Sequence, residues 1–162
     1  VVGSADDPAG IAGMTNAVAT FQQMADTQSA FISRGDDSGT HTKELSIWKT
    51  AAIEPAGDWY ISAGQGMGEV LTMANELQAY TLSDRATYVS MADTLNLTIL
   101  VEGDPILFNP YGVIPVNPKV HPQVNAALAQ TFTDWLISVE AQQLIADYEV
   151  NGQALFTPDS EL

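Results

Sequence analysis

The chain has 162 residues, with 20 acidic against 5 basic side chains and a formal net charge of −15 at pH 7. That length fits one domain or little more, and 46% hydrophobic residues can build a core, which excludes a disordered acidic tail. So few Lys and Arg cannot neutralise a nucleic-acid backbone or an anionic bilayer surface, and the absence of cysteine excludes disulfides, thiolate metal sites and a Cys nucleophile.

In chain order, short apolar strands alternate with amphipathic helices, which predicts an α/β fold. Val1–Ser4 reads as the end of a strand with no basic, apolar leader before it, so an incomplete start is expected. Asp6 to Gly10 is a turn, and Asn16 caps a helix that buries Val18, Phe21 and Ala25. Phe31–Ser33 is a strand, Arg34 to Gly39 a loop, and Thr40 to Ala52 a helix with Leu45, Trp48 and Ala52 on one face. A loop over 53–58 leads to a strand at Trp59–Ser62. A second glycine loop, Gly64-Gln65-Gly66-Met67-Gly68, opens a helix whose face is Met67, Val70, Leu71, Ala74 and Leu77. Ala79–Leu82 is a strand, and Ser83 caps a short helix from Asp84. Leu97–Val101 is a strand before a turn at 102–105, and Tyr111–Val116 a strand between two Asn-Pro signals. Val124, Leu128, Phe132 and Trp135 form a helical stripe. Ser138 starts a last helix carrying Leu144, Ile145 and Tyr148, stopped near Gly152.

The chemistry concentrates in Ser33-Arg34-Gly35-Asp36-Asp37-Ser38-Gly39-Thr40-His41, between a strand and a helix. Arg34 offers a forked donor to an oxyanion. Ser38 and Thr40 offer hydroxyls, and Gly39 admits close approach to backbone N–H groups. The start of the helix adds unpaired N–H groups and a partial positive charge, which bind anions without net positive charge on the protein. Gly66, Met67 and Gly68 offer a second such helix start. The plainer reading of Ser38 is a helix cap, and of Arg34 a solvated side chain.

These stretches resemble the periplasmic tungstate-binding proteins of tungstate ABC importers. The likeness runs through VVGSADDPAGIAG (1–13), FISRGDDSGTHTKELSIWK (31–49), WYISAGQGMGEVLTMANELQAYTLSDRATY (59–88), EGDPILFNPYGVIPVNP (102–118) and FTDWLISVEAQQLI (132–145). It implies an α/β, class II periplasmic-binding-protein-like fold in which two domains clamp an oxyanion, tungstate or molybdate, with no cofactor, no metal site and no catalysis. Residues 1–9 would belong to the hinge and first domain, 10–112 to the ligand-binding second domain, and 113–162 to the hinge strand and C-terminal helices of the first. The family's Thr/Ser-rich opening segment has no counterpart in 1–162. The face of Leu128, Phe132 and Trp135 would therefore be left bare, to be covered by a dimer or a complementing chain. The implied ligand-binding residues are Arg34, Ser38, Gly39, Thr40, Gly66, Met67 and Gly68. The implied partners are an inner-membrane permease and its ATPase, and the implied location is the periplasm.

A phosphate-binding importer protein is the first rival, since Arg34, Asp36, Ser38, Gly39 and Thr40 also fit its loop. Monohydrogen phosphate carries a proton that Asp36 could accept, whereas tungstate is fully ionised near neutrality. A tungstate site therefore requires Asp36 and Asp37 to face Arg34, the backbone or water. A ligand-gated sensor of the same fold is the second rival. Ser46 and Lys49 match S-x-x-K without its companion motifs, and Ser38 with His41 lacks a placed carboxylate, so catalysis is not expected. Glu69 breaks the G-x-G-x-x-G spacing of a dinucleotide loop. The net charge disfavours an anion only at long range, because exposed charges beyond about 8 Å are screened in physiological salt. The only two arginines of the chain, Arg34 and Arg85, both fall inside the resembling stretches.

Overall fold

A computed structural model describes residues 1–159. The chain divides into two compact units, Val1–Asn109 and a second from Pro110 onward. The first unit contains β1 (Val2–Ser4), α1 (Ala17–Asp26), β2 (Phe31–Ser33), α2 (Gly39–Thr50), β3 (Tyr60–Ser62), α3 (Met67–Leu77), α4 (Arg85–Met91) and β4 (Leu97–Ile99). The second contains α5 (Ala126–Leu136), α6 (Val139–Ala146) and the short strands β5 (Glu149–Val150) and β6 (Gln153–Ala154).

In the first unit β1 pairs antiparallel with β4, and β2 pairs parallel with β3. The segment 79–82 joins the two pairs. Val2 and Thr81 exchange backbone hydrogen bonds of 3.0 Å, while the Ile32 N–H donates to Tyr80 at 2.8 Å and the Tyr80 N–H to Ala30 at 2.8 Å. The order is thus β4, β1, segment 79–82, β2, β3. Residues 1–9 lie within this unit, where β1 pairs with β4. The core on the α1–α2 side is aromatic: Phe21 and Trp48 ring centroids lie 4.5 Å apart, Phe31 and Trp48 5.6 Å, and Phe31 stacks on Tyr60 at 5.9 Å. Such tilted and stacked pairs add to the stabilisation from burial itself. Helix α3 packs on α4, β1 and β2 through buried Met67, Val70, Leu71 and Ala74.

Several expected details are corrected. On α2 the buried face is Glu44, Ile47, Trp48 and then Ala51; of the expected Leu45, Trp48 and Ala52, only Trp48 belongs to it. Leu45 lies one step round the helix from that face, and Ala52 lies beyond the cap in a left-handed turn with φ 56°. On α1 the fully buried set is Ala17, Thr20, Phe21 and Met24, with Val18 and Ala25 at its margin. Leu77, in the last turn of α3, is exposed. Asp84, not Ser83, caps α4. Its carboxylate accepts from the Thr87 N–H at 2.8 Å, and the Thr87 hydroxyl also donates to it. A carboxylate satisfies an orphan N–H and also matches the positive end of the helix dipole. Asp84→Ala is expected to cost about 1 kcal/mol in urea denaturation and Ser83→Ala less than about 0.5 kcal/mol; equal losses would contradict this cap.

In the second unit, 111–116 is not a strand. It has no pairing segment among the described residues, and a lone strand leaves its backbone groups without a ladder. Tyr111 instead meets Phe156 edge-on, with ring centroids 5.7 Å apart. Neither Leu128, Phe132 nor Trp135 is buried on α5, whose N-cap is Asn125. Ser138 caps α6 as expected, but its buried residues are Ala141 and Gln142 rather than Leu144 and Tyr148. The β5–β6 hairpin turns at Asn151-Gly152, with φ 53° and 70°, the positive pair that a tight hairpin turn requires.

Candidate functional site

Strands β2 and β3 lie side by side in parallel, with Ser33 opposite Ser62, so both run into their loops at the same edge of the sheet. Open α/β sheets place ligands at that carboxyl edge. The two loops are tied together: the Ala63 N–H donates to Ser33 at 2.9 Å, and the Gln65 N–H donates to Arg34 at 3.1 Å. Gly35 permits this closeness. Its φ is +60°, and a Cβ there would stand 2.0 Å from Ser62 Oγ and 3.3 Å from the Gly64 nitrogen. The structure therefore brings Arg34, Ser38, Gly39 and Thr40 beside the loop that carries Gly66, Met67 and Gly68.

Each loop ends in a helix N-terminus. Ser38 is the N-cap of α2, and its hydroxyl oxygen accepts from the His41 N–H at 3.2 Å. The N–H groups of Gly39 and Thr40 have no partner among the described residues and remain available as donors. A Cβ on Gly39 would meet nothing within 4 Å, so the space before this helix start is open. Gly66 caps α3 without a side-chain bond, and the N–H groups of Met67 and Gly68 also lack partners among the described residues. Met67 as a whole is buried. Glu69 folds back over this start, with Oε2 2.8 Å from the place of a Gly66 Cβ. That carboxylate competes for the α3 terminus, which makes the α2 terminus the stronger anion-facing one.

The Asp36 carboxylate of the loop is already committed. Asp36 Oδ2 accepts from Arg34 Nε at 3.2 Å and from Arg34 Nη2, and its Oδ1 accepts from the Ser38 N–H at 3.2 Å. The Ser38 hydroxyl first, then the Arg34 guanidinium, hold the Asp36 carboxyl at about 2. Asp37 is fully exposed at φ 59°. His41 Nδ1 accepts from the Asp37 N–H at 3.0 Å, so this ring closes the loop on itself and does not reach Ser38 as a base. The arrangement leaves Arg34 Nη1 and the backbone donors to face a ligand, with Asp36 engaged by Arg34 and Ser38 and the Asp37 side chain turned to solvent.

Beneath the site lies a residue not anticipated from sequence. Glu44, 1% exposed, accepts from the Ser33 hydroxyl at 2.7 Å, the Tyr60 hydroxyl at 2.7 Å and the Trp48 indole N–H at 3.1 Å. It ties the end of β2 and the start of β3 to α2. Its signal was its place in line with Ile47, Trp48 and Ala51 at i+3, i+4 and i+7, an acid on a core face. Ser46 and Lys49 lie exposed on α2 away from this cluster. Arg85 pairs with Glu102 at 2.8 Å and braces the first unit. Among the described residues no group of three or more His, Asp or Glu could hold a metal ion, and no helix is long and apolar enough to cross a membrane.

Residues 1–140 match the family described as the PBP superfamily domain. The chain belongs to the PBP superfamily. Among curated relatives, this PBP chain is 49% identical over 164 residues to a tungstate-binding protein of Peptoclostridium acidaminophilum, covering 99% of this chain and 57% of that protein. Among solved structures it is similar to a tungstate-binding protein of Desulfovibrio alaskensis G20, with TM-score 0.83, 42% identity, and coverage of 99% of this chain and 66% of that one. It is also similar to the tungstate ABC transporter structure from Geobacter sulfurreducens, with TM-score 0.82, 49% identity, and coverage of 91% and 62%. The chain spans about half the length of the curated relatives it matches. At these TM-scores and identities, its fold is the expected α/β, class II PBP-like one.

Proposed function

We propose that this PBP chain is part of the substrate-binding protein of an ABC importer, one that captures the tungstate oxyanion, with molybdate as the near-isosteric alternative. The observation that carries this reading is the start of α2. Two free N–H groups, those of Gly39 and Thr40, open onto unfilled space beside Arg34, on the carboxyl edge of two parallel strands. Similarity to tungstate-binding proteins supports tungstate as the ligand. Ser38 stiffens the terminus as its cap, and the Thr40 hydroxyl adds a further donor. Gly66, Met67 and Gly68 contribute backbone donors from the second loop, weakened by Glu69.

Phosphate fits less well. A monohydrogen phosphate needs an acceptor for its proton, and both Asp36 oxygens are engaged by Arg34 and the Ser38 N–H. A fully ionised tetrahedral anion asks only for donors. The importer role brings an inner-membrane permease and its ATPase as partners, periplasmic placement, and binding without chemical conversion.

Calorimetric titration of tungstate, molybdate, phosphate and sulfate into the full-length protein tests this. Tungstate or molybdate is expected to bind at least about 100-fold tighter than phosphate or sulfate, a discrimination of about 2.7 kcal/mol. Preferential phosphate binding, or no oxyanion binding at all, would overturn the assignment.

A further inference from the structure

Glu44 is the one charged residue among the buried residues described, and the site chemistry above does not use it. It lies on α2 five positions after Gly39, so it sits about 7.5 Å along the helix axis from the first free amide. An anion held at that amide and this carboxylate would be about 10 Å apart, separated by protein interior in which like charges repel strongly.

Among the described residues no Lys or Arg pairs with Glu44, and the one favourable charge effect on it comes from His41. The groups facing it are the Ser33 hydroxyl of β2, the Tyr60 phenol of β3, the Trp48 indole on its own helix and, one turn toward the N-terminus, His41. It takes part in no ion pair among those described. The geometry can accept a proton without being rebuilt. Trp48 and Tyr60 both donate to Oε1, whereas Oε2 meets only the Ser33 hydroxyl, which can turn and accept. Burial pushes the Glu44 carboxyl above its ordinary value, against the pull of its three donors.

We infer that Glu44 is a positioning residue of the anion site and takes up a proton when the oxyanion binds. The inference rests on the oxyanion-binding reading above. Glu44 holds the end of β2 and the start of β3 against α2, and its neutralisation removes a like charge from beneath the ligand. The anion favours the protonated form, so wild-type affinity is highest below the Glu44 midpoint and falls as pH rises through it.

The test is calorimetry of tungstate with full-length wild-type protein and Glu44→Gln, each in two buffers of different ionisation enthalpy, between about pH 5 and 8. The amide keeps an acceptor for Trp48 and Tyr60 and a donor for Ser33, but carries no charge. Wild type is expected to take up part of a proton on binding and to weaken with rising pH. Glu44→Gln should lack that uptake, and at the alkaline end it should bind about tenfold tighter than wild type. Equal proton uptake in both proteins would place the proton on His41 or the anion and overturn the inference. A wild type that binds no tungstate at any pH overturns the functional reading instead. Should the variant not fold, infrared difference spectra of the wild type decide the matter. Tungstate must raise the C=O stretch of a buried carboxylic acid, and its absence sinks the proposal.

Discussion

Arg34→Ala is expected to lower tungstate affinity about 100-fold or more while leaving the midpoint of urea unfolding nearly unchanged. The guanidinium is a charge-assisted, forked donor, and removing one partner of such a contact commonly costs 2–5 kcal/mol in binding, about 30- to 5,000-fold. A second effect enlarges the loss. Arg34 is the only side-chain cation on Asp36 among the described contacts. Without it, that carboxylate stands beside the anion with only the Ser38 donors to restrain it. The double variant Arg34→Ala, Asp36→Ala should therefore bind better than the single one. Folding should be little affected, because the Arg34–Asp36 pair spans two residues of one loop and anchors nothing distant. Calorimetry and urea denaturation on the same samples check both halves. Unchanged affinity would remove Arg34 from the site, and a large fall in stability would make its role structural.

Gly35→Ala is expected to destabilise the protein by about 2–3 kcal/mol and to weaken oxyanion binding at least tenfold. Two costs combine. A φ of +60° places an alanine in the left-handed region, which disfavours any Cβ by about 1 kcal/mol. The new Cβ would also collide with Ser62 Oγ, at 2.0 Å. Turning Ser62 away leaves the Ser62 Cβ and the Gly64 nitrogen, both at 3.3 Å, so the two loops must part. Parting them breaks the Gln65 to Arg34 bond and moves Arg34 relative to the α2 terminus. Adding Ser62→Ala should recover part of the stability, leaving chiefly the backbone cost. Gly39→Ala is the contrast: its Cβ meets nothing within 4 Å, and helix position N1 accepts alanine. Its stability should hold while its affinity falls, because the methyl group enters the space proposed for the anion. If Gly35→Ala unfolds at the wild-type urea midpoint, the close loop packing is wrong.

Most of the secondary structure was legible because local signals and tertiary packing agreed. Asn16, Ser38 and Ser138 act as helix caps where their side chains suggested, and the strands at 31–33 and 60–62 run into glycine-bearing loops as their patterns required. Local signals misled where several residues could serve one purpose. Ser83 and Asp84 are both good caps, and the carboxylate won through its reach to Thr87 and its charge at the helix start. On α2 an apolar leucine looked like core and an acid like surface. The strand ends opposite the helix decided otherwise, because Ser33 and Tyr60 present hydroxyls that Glu44 satisfies and Leu45 could not. The 111–116 segment has strand-forming residues, but a strand also needs a partner, which its own residues cannot specify.

By itself the sequence determined the α/β pattern, the glycine-bearing loops and the placing of scarce arginine inside one of them. These follow from short-range chemistry: hydrophobic period, capping side chains, and glycine where no Cβ fits. Only the tertiary structure decided that the two loops close on each other through parallel β2 and β3. It also decided that a buried Glu44 underlies the site. The loop closure joins residues 29 positions apart, Ser33 and Ser62, and the Glu44 cluster joins residues 11 and 16 apart, distances that no local pattern carries.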